Sequence, residues 1–271
     1  MASSTEQQNL RAENVERVIK GLTEQMYILK KMVGTTTTNS WKDTYYTETA
    51  GVLTGGTGSG IEGIPRLSAF PELAPTWTTH SAVQVKYGGK GTISEEDATT
   101  DYIDAQKRTM VKVAEAIVSA VDGRIYTDLT GATGIGTAGA VDCWDSATIA
   151  NRDPLLDVLI GFEWIRDSNI VVSGTPTLCL NPHDYTYWVT NPKVLANNSL
   201  KDQFTIKVSN SVSDDEAMLY FDGAATWKTC KGLSTAVEVT NGIKIVIKAW
   251  EYGQLQVSQP AKIYVITDTQ V

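Results

Sequence analysis

The chain has 271 residues, of which 42% are hydrophobic and 20% charged, with a net charge of -8. That is ordinary globular usage with enough length for a real core, so a fibrous or wholly disordered chain is excluded. The acidic balance argues against a non-specific nucleic-acid binder, which needs clustered Lys and Arg. No apolar run reaches the roughly 18 residues of a membrane helix, so no membrane partner is expected. The polar first ten residues carry no secretory signal. Cys143, Cys179 and Cys230 form no CxxC pair, and reduced, buried thiols are expected rather than a disulfide.

Residues 5–33 read as one amphipathic helix, with Val15, Val18, Ile19, Leu22, Met26, Leu29 and Val33 at helical spacing. Ser4 with Gln7 fits a capping box, and Gly34 fits a stop. The helix either packs on its own domain or reaches a neighbour. Basic Arg11, Arg17, Lys20, Lys30 and Lys31 are matched by Glu6, Glu13, Glu16 and Glu24, so this is no basic arm.

Residues 35–98 carry Tyr45-Tyr46, a glycine-rich stretch at 51–63 (GVLTGGTGSGIEG), and a proline-broken stretch at 64–77 containing Phe70, Leu73 and Trp77. Val83, Val85 and Tyr87 alternate with Gln84 and Lys86 as a strand. Gly88-Gly89 is read as a bend, with 90–94 returning. A loop of about sixty residues without its own core is far beyond the usual length. It is too aromatic and too weakly charged for simple disorder. An extended hairpin that buries its apolar side chains on other subunits fits best, with a disordered insertion as the alternative. The candidate inter-subunit contacts are therefore Leu22, Met26, Leu29, Tyr45, Tyr46, Phe70, Leu73, Trp77 and Tyr87.

Residues 99–129 predict a second long helix through Ile103, Met110, Ala114, Ile117, Val121 and Ile125, with Glu95, Glu96, Asp97, Asp101 and Asp104 near its start. The glycine-rich 131–139 suggests a domain boundary. Beyond it, helices are expected at 154–166 and 182–190, and strands at 177–180, 204–208 and 217–221. The end is β, with Ile243, Ile245 and Ile247 alternating with Lys244 and Lys248, a turn at Gly253, and a last strand at 263–266.

No site chemistry converges. His80 and His183 belong to no HExxH pattern, no Cys/His set has zinc spacing, and no GxSxG occurs. The glycine run 55–60 leads into prolines rather than a helix, and Gly88 to Thr92 lacks the Lys-Ser/Thr pair of a phosphate loop. The acids at 95–97 suit a solvated helix start. Tyr185, Tyr187 and Trp188 suit core or interface packing. The triplet at 197–199 matches a glycosylation signal but has no secretory context. No enzyme activity, cofactor or metal is expected.

The order of parts resembles the major capsid proteins of tailed bacterial and archaeal viruses, an α+β fold of the Hong Kong 97 phage type. RLSAFPELAPTW (66–77) resembles the E-loop, KYGGKGTISEED (86–97) its return into the spine helix, TLCLNPHDYTYW (177–188) the axial strand and helix, and NGIKIVIKAWEYGQLQVSQPAKIYVI (241–266) the closing strands. The resemblance implies an N-terminal arm (1–36), an E-loop (37–98), a peripheral domain with the spine helix (99–133), an axial domain (134–240) and closing strands that return to the peripheral domain (241–271). It implies pentamers and hexamers in an icosahedral shell around double-stranded DNA, assembled in a host cytoplasm. Portal, scaffold and decoration proteins of the same virion are the further partners. With about 34 residues before the loop, a scaffold or protease would be a separate protein. Lys86 and Lys90 fall in the loop region, but nothing matches the partner of an inter-subunit lysine crosslink, and none is expected. An encapsulin-type cellular shell, a virion decoration or tail binding protein, and a hydrolase using His80 or His183 are the rival readings.

Overall fold

The computed structural model describes residues 12–48, 66, 77–100, 104–168, 172, 174–197, 203–240 and 243–271. The capping residues Ser4 and Gln7, the glycine run 51–63, Phe70, Leu73, Ile103 and most of the proline-broken stretch lie outside them.

The first helix, α1 (Ala12–Met26), is shorter than its periodicity predicts. Val15 and Ile19 are buried on its inner face, but the chain leaves the helix after Met26. The cause is a single side chain. Asp122, from the long helix described below, accepts the backbone N–H groups of Ile28 (2.9 Å), Leu29 (3.2 Å) and Lys30 (3.0 Å). A carboxylate thus takes the amides that another helical turn would have used. Leu29 and Val33 are buried from this irregular turn, not from a helix.

Strand β1 (Gly34–Thr37) follows, then β2 (Lys42–Glu48) and β3 (Trp77–Val83). The last two pair antiparallel as a separate two-stranded ribbon, with Tyr45 opposite His80 and Glu48 opposite Trp77. The single strand expected around Val83 to Tyr87 is broken at buried Gln84, whose N–H donates to the carbonyl of Trp41. Strand β4 (Val85–Ser94) then runs straight through Gly88-Gly89. The bend expected there does not occur. Gly88 lies against the neighbouring strand, where a Cβ would come within 2.8 Å of the Cβ of Trp250. Close backbone approach, not turning, is what the residue serves.

The expected helix at 99–129 is two helices, α2 (Glu95–Thr100) and α3 (Ala105–Thr130). Thr99 and Thr100 turn their hydroxyls back onto the carbonyls of Glu95 and Glu96, and Asp104 sits in the left-handed region at φ 48°. Residues that bond locally, followed by a left-handed residue, end one helix and start the next. At about 1.5 Å per residue α3 is a rod of roughly 39 Å.

A four-stranded sheet carries this part of the chain. Its order is β1, β9 (Ala225–Thr240), β10 (Lys244–Val257), β4. The helices α1 and α3 pack on one face of it. Ile93, Ile245, Ile247 and Ala249 point to the helices, as do Val113, Ala114, Ile117 and Val121 from α3. The turn expected at Gly253 does not form. Gly253 lies inside β10 beside a bulge, and its missing side chain makes room for the buried Trp227 indole.

The second body is a five-stranded sheet in the order β5 (Gly136–Gly139), β11 (Ile263–Thr267), β8 (Glu216–Tyr220), β6 (Thr177–Leu180), β7 (Thr205–Val208). Helix α4 (Pro154–Asp167) covers one face, with α5 (Pro182–Thr190) and α6 (Pro192–Ala196) beside it. Alternate residues serve two different cores. Leu178, Leu180, Ala217, Leu219, Tyr264 and Ile266 join Trp144, Trp188 and Ile165 on the α4 side. Cys179, Met218, Tyr220, Ile263 and Val265 join the core under α3. Burial on both faces explains why these strands read as continuous apolar runs. The closing strands therefore part company: β10 belongs to the four-stranded sheet and β11 to the five-stranded one. The run 131–139, read as a break, contributes β5 in parallel register with β11.

Candidate inter-subunit surfaces

Among the described residues no nucleophile is positioned by a base. His80 stacks on Tyr45 at 5.3 Å, and His183 packs on Tyr187 at 4.9 Å. The helix cap at 181–190 is made by Asn181, which accepts from the N–H of His183, not by the histidine. No described group of acids, histidines and cysteines could hold a metal ion. The three cysteines are free, but only Cys179 is buried, and burial pushes its thiol up to about 12. Of the aromatic patch expected at 185–188, Trp188 is a core residue against Trp144 at 6.1 Å, Tyr187 is half-buried and Tyr185 is exposed.

What the described residues do present are apolar side chains left in solvent. On the ribbon, Trp41, Tyr46 and Trp77 are 54%, 58% and 59% exposed. The ribbon is fastened to the subunit from its root almost to its far end. Trp41 meets the ring of Tyr252 edge-on at 5.2 Å, Lys228 meets Asp43 at 3.7 Å, and the Thr47 hydroxyl donates to the carbonyl of Val257 at 3.2 Å. A cleft of about 410 Å³ lies under the ribbon, with Tyr45, His80, Tyr87, Arg124 and Asp128 among its walls. Arg124 holds Asp128 through two bonds of 3.0 Å along one turn of α3. Burial raises the Asp128 carboxyl above the usual carboxylate range, against the lowering pull of Arg124.

A second bare set lies on the five-stranded body. Leu156, Ile160 and Trp164 recur every fourth residue of α4 and are exposed, although the Trp164 ring also packs on Tyr264 at 5.7 Å; Val141 and Ile149 are exposed as well. Buried residues of the same helix, Leu155, Val158 and Ile165, face the sheet. The helix is therefore apolar on two sides, a pattern that periodicity alone does not separate from deep burial. A third set, Val239 and Ile243, is exposed at the far end of the β9–β10 pair.

The contact candidates read from sequence divide accordingly. Tyr46 and Trp77 are exposed, and Tyr45 is half-buried midway along the ribbon. Leu22 and Met26 are half-buried against the subunit's own core. Leu29 and Tyr87 are buried inside it, Tyr87 against Trp227 at 5.9 Å, and neither can meet a neighbour in this conformation. Phe70 and Leu73 lie outside the described residues. Sequence reasoning missed Trp41, Leu156, Ile160 and Trp164. A large aromatic at 41 before a Tyr-Tyr strand was the available signal for the first.

The arm joins the body through buried charge. Lys30 donates to both carboxylate oxygens of Glu251 at 2.9 Å, with side-chain exposures of only 16% and 4%. Its ammonium also lies 4.2 Å from the Tyr27 ring centroid. Burial pushes the Tyr27 phenol up, aided by the charge of Glu251. The Tyr126 hydroxyl donates to Glu216 at 2.6 Å and ties α3 to the five-stranded sheet.

Comparison with known proteins agrees with this architecture. The family model described as phage capsid protein matches residues 77–266. No curated protein matches the sequence. Among solved structures, the virus-like particle from Pyrococcus furiosus is similar at TM-score 0.70 and 11% identity, over 94% of this chain and 98% of that one. The capsid of cyanophage P-SCSP1u is similar at TM-score 0.63 and 11% identity, over 89% and 87%. A phage-related protein from Bordetella bronchiseptica RB50 is similar at TM-score 0.62 and 12% identity, over 94% and 97%. The α+β fold of the Hong Kong 97 phage type, expected from the sequence, is the fold of this chain. With the family model matching well over half its length, the chain belongs to the phage capsid protein family.

Proposed function

We propose that this chain is the major capsid protein of a tailed virus, which assembles into pentamers and hexamers closing an icosahedral head around double-stranded DNA. The observation that carries this reading is the ribbon of β2 and β3. It is joined to its own subunit at residues 41, 43 and 47, yet leaves Trp41, Tyr46 and Trp77 largely in solvent. A ribbon of two strands is not stable alone in water, so its bare face calls for a partner layer. In this reading the ribbon is the E-loop and lies across the adjacent subunit, with Tyr46 and Trp77 as contacts. Residues 1–36 form the arm. The four-stranded sheet with α3 is the peripheral domain, and the five-stranded sheet is the axial domain. Axial domains meet around the five- and six-fold axes, where the bare stripe of α4 serves. Closed symmetric assembly spreads its stabilisation over many such interfaces, and obligate ones exceed roughly 2,000 Å².

The role is structural and calls for no catalysis or cofactor. The genome is enclosed without a basic arm. Portal, scaffold and decoration proteins of the same virion complete the head, which is assembled in the host cytoplasm. A second reading, a cellular compartment shell of the same fold, is favoured by the likeness to a particle from a cellular organism.

The test is expression of the full chain followed by size-exclusion chromatography and negative-stain microscopy. Closed shells, rings of five or six, or sheets are expected. A monomer that stays monomeric at high concentration would sink the reading. Nucleic acid against protein cargo inside shells purified from the native source separates the two shells.

A further inference from the structure

The four-stranded sheet has helices on one face only. On the other, β4 and β10 send out Lys86, Lys90, Lys244 and Lys248, each pair four residues apart on its strand, and Lys231 of β9 lies opposite Tyr252. Along the cross-strand partners of this stretch Glu238 is the acid present, and it pairs with Lys248. Lys90, Lys231 and Lys244 have no ion-pair partner among the described residues. Lys86 is held over the rings of Trp250 at 5.1 Å and Tyr252 at 5.7 Å. Lys90 stands directly opposite Lys248, a like-charge pairing that costs stability in an isolated sheet. The chain as a whole is at -8, so the surface outside this face is more acidic than the total.

From this segregation we infer that the open lysine face is a docking surface for an acidic surface of a second copy of the chain. The inference rests on the shell reading above. The charge argument selects the partner. A copy of this chain brings the complementary sign, whereas a duplex would have to approach a molecule of the same sign as itself. The face is also continuous with the ribbon, since Trp41 at the ribbon root packs on Tyr252 of that face. Exposed ammonium groups beside the Trp250 and Tyr252 rings suit an electrostatic contact that sets register more than strength.

The experiment uses the full chain with Lys90→Glu, Lys231→Glu and Lys244→Glu combined, beside the same three positions changed to Arg. Assembly is followed by light scattering and microscopy from about 50 mM to 1 M salt, where screening shortens to a few Å. The reversed variant is expected to need an at least tenfold higher concentration to assemble at low salt. The gap should close at high salt, the arginine variant should match the wild type, and subunit unfolding should be unchanged. Equal assembly of wild type and reversed variant at low salt overturns the proposal alone. Unchanged assembly with lost retention of a short DNA duplex overturns it in favour of a nucleic-acid face. A wild type that never assembles overturns the proposal and the shell reading together. If charge reversal disturbs folding, Lys→Gln at the three positions gives the same test with the subunit intact.

Discussion

The two sheets solve the same problem in opposite ways. The five-stranded sheet is covered on both faces, and its alternate residues fill two separate cores. The four-stranded sheet is covered on one face only. It leaves a lysine-rich surface bare and carries the ribbon, whose aromatic side chains stay exposed. The first has both of its faces completed within the subunit. The second is finished only when something else is laid upon it. Substitutions in the first should therefore act on the subunit, and substitutions on the bare parts of the second should act on association.

The largest effect is expected where the arm meets the body. Asp122→Ala leaves three backbone amides without their acceptor in a site 1% exposed. Losing buried charge-assisted bonds of this kind costs about 3 kcal/mol or more. A urea titration of the subunit would show it, and a variant within 1 kcal/mol of wild type would remove Asp122 from this role. Next comes Gly253→Ala, which drives a methyl into the Trp227 indole. Overpacking of this order costs about 1–3 kcal/mol and should appear as a lower denaturant midpoint.

A smaller effect concerns pH. Burial raises the carboxyls of Asp122, Asp157 and Asp184 above their ordinary value and outweighs the hydrogen bonds that lower them. A folded state with raised carboxyl values binds protons more readily than the unfolded chain. Their contribution to stability therefore grows as pH falls from the folded values toward the ordinary carboxylate value, and levels off below it. Mild acid should leave the subunit's urea midpoint level or raised. A steep loss between pH 7 and 5 would contradict this. The smallest effect on the subunit belongs to Trp77→Ala, about 0.5 kcal/mol or less for an exposed side chain. The same change should lower the yield of assembled particles. If stability and assembly fall together, the contrast between the two sheets fails.

The sequence showed the five-stranded body best. Strand 177–180 and helix 182–190 fall where the apolar run and the Asn-Pro start place them, because local signals and burial agree there. The four-stranded sheet was harder to read. Gly88 and Gly253 look like turns, yet they are places where another backbone or an indole comes close, which only the neighbouring strand reveals. Strand β9 is rich in Thr and interrupted by Gly232, so its sixteen residues offer no clean alternation. The exposed Trp77 follows from the composition of a segment with no core of its own. The buried positions of Leu29 and Tyr87 do not, since an apolar residue looks the same whether its partner is its own subunit or the next.

The fastening at Asp122 has one more consequence. It grips main-chain amides of residues 28, 29 and 30, and in doing so sets Leu29 into the core and Lys30 onto Glu251. A lock made to backbone sets the height of the segment, and the side chains it places decide what may stand there. A foreign segment exchanged onto the same long helix would be seated at that height only if it kept an apolar residue at 29 and a cation at 30.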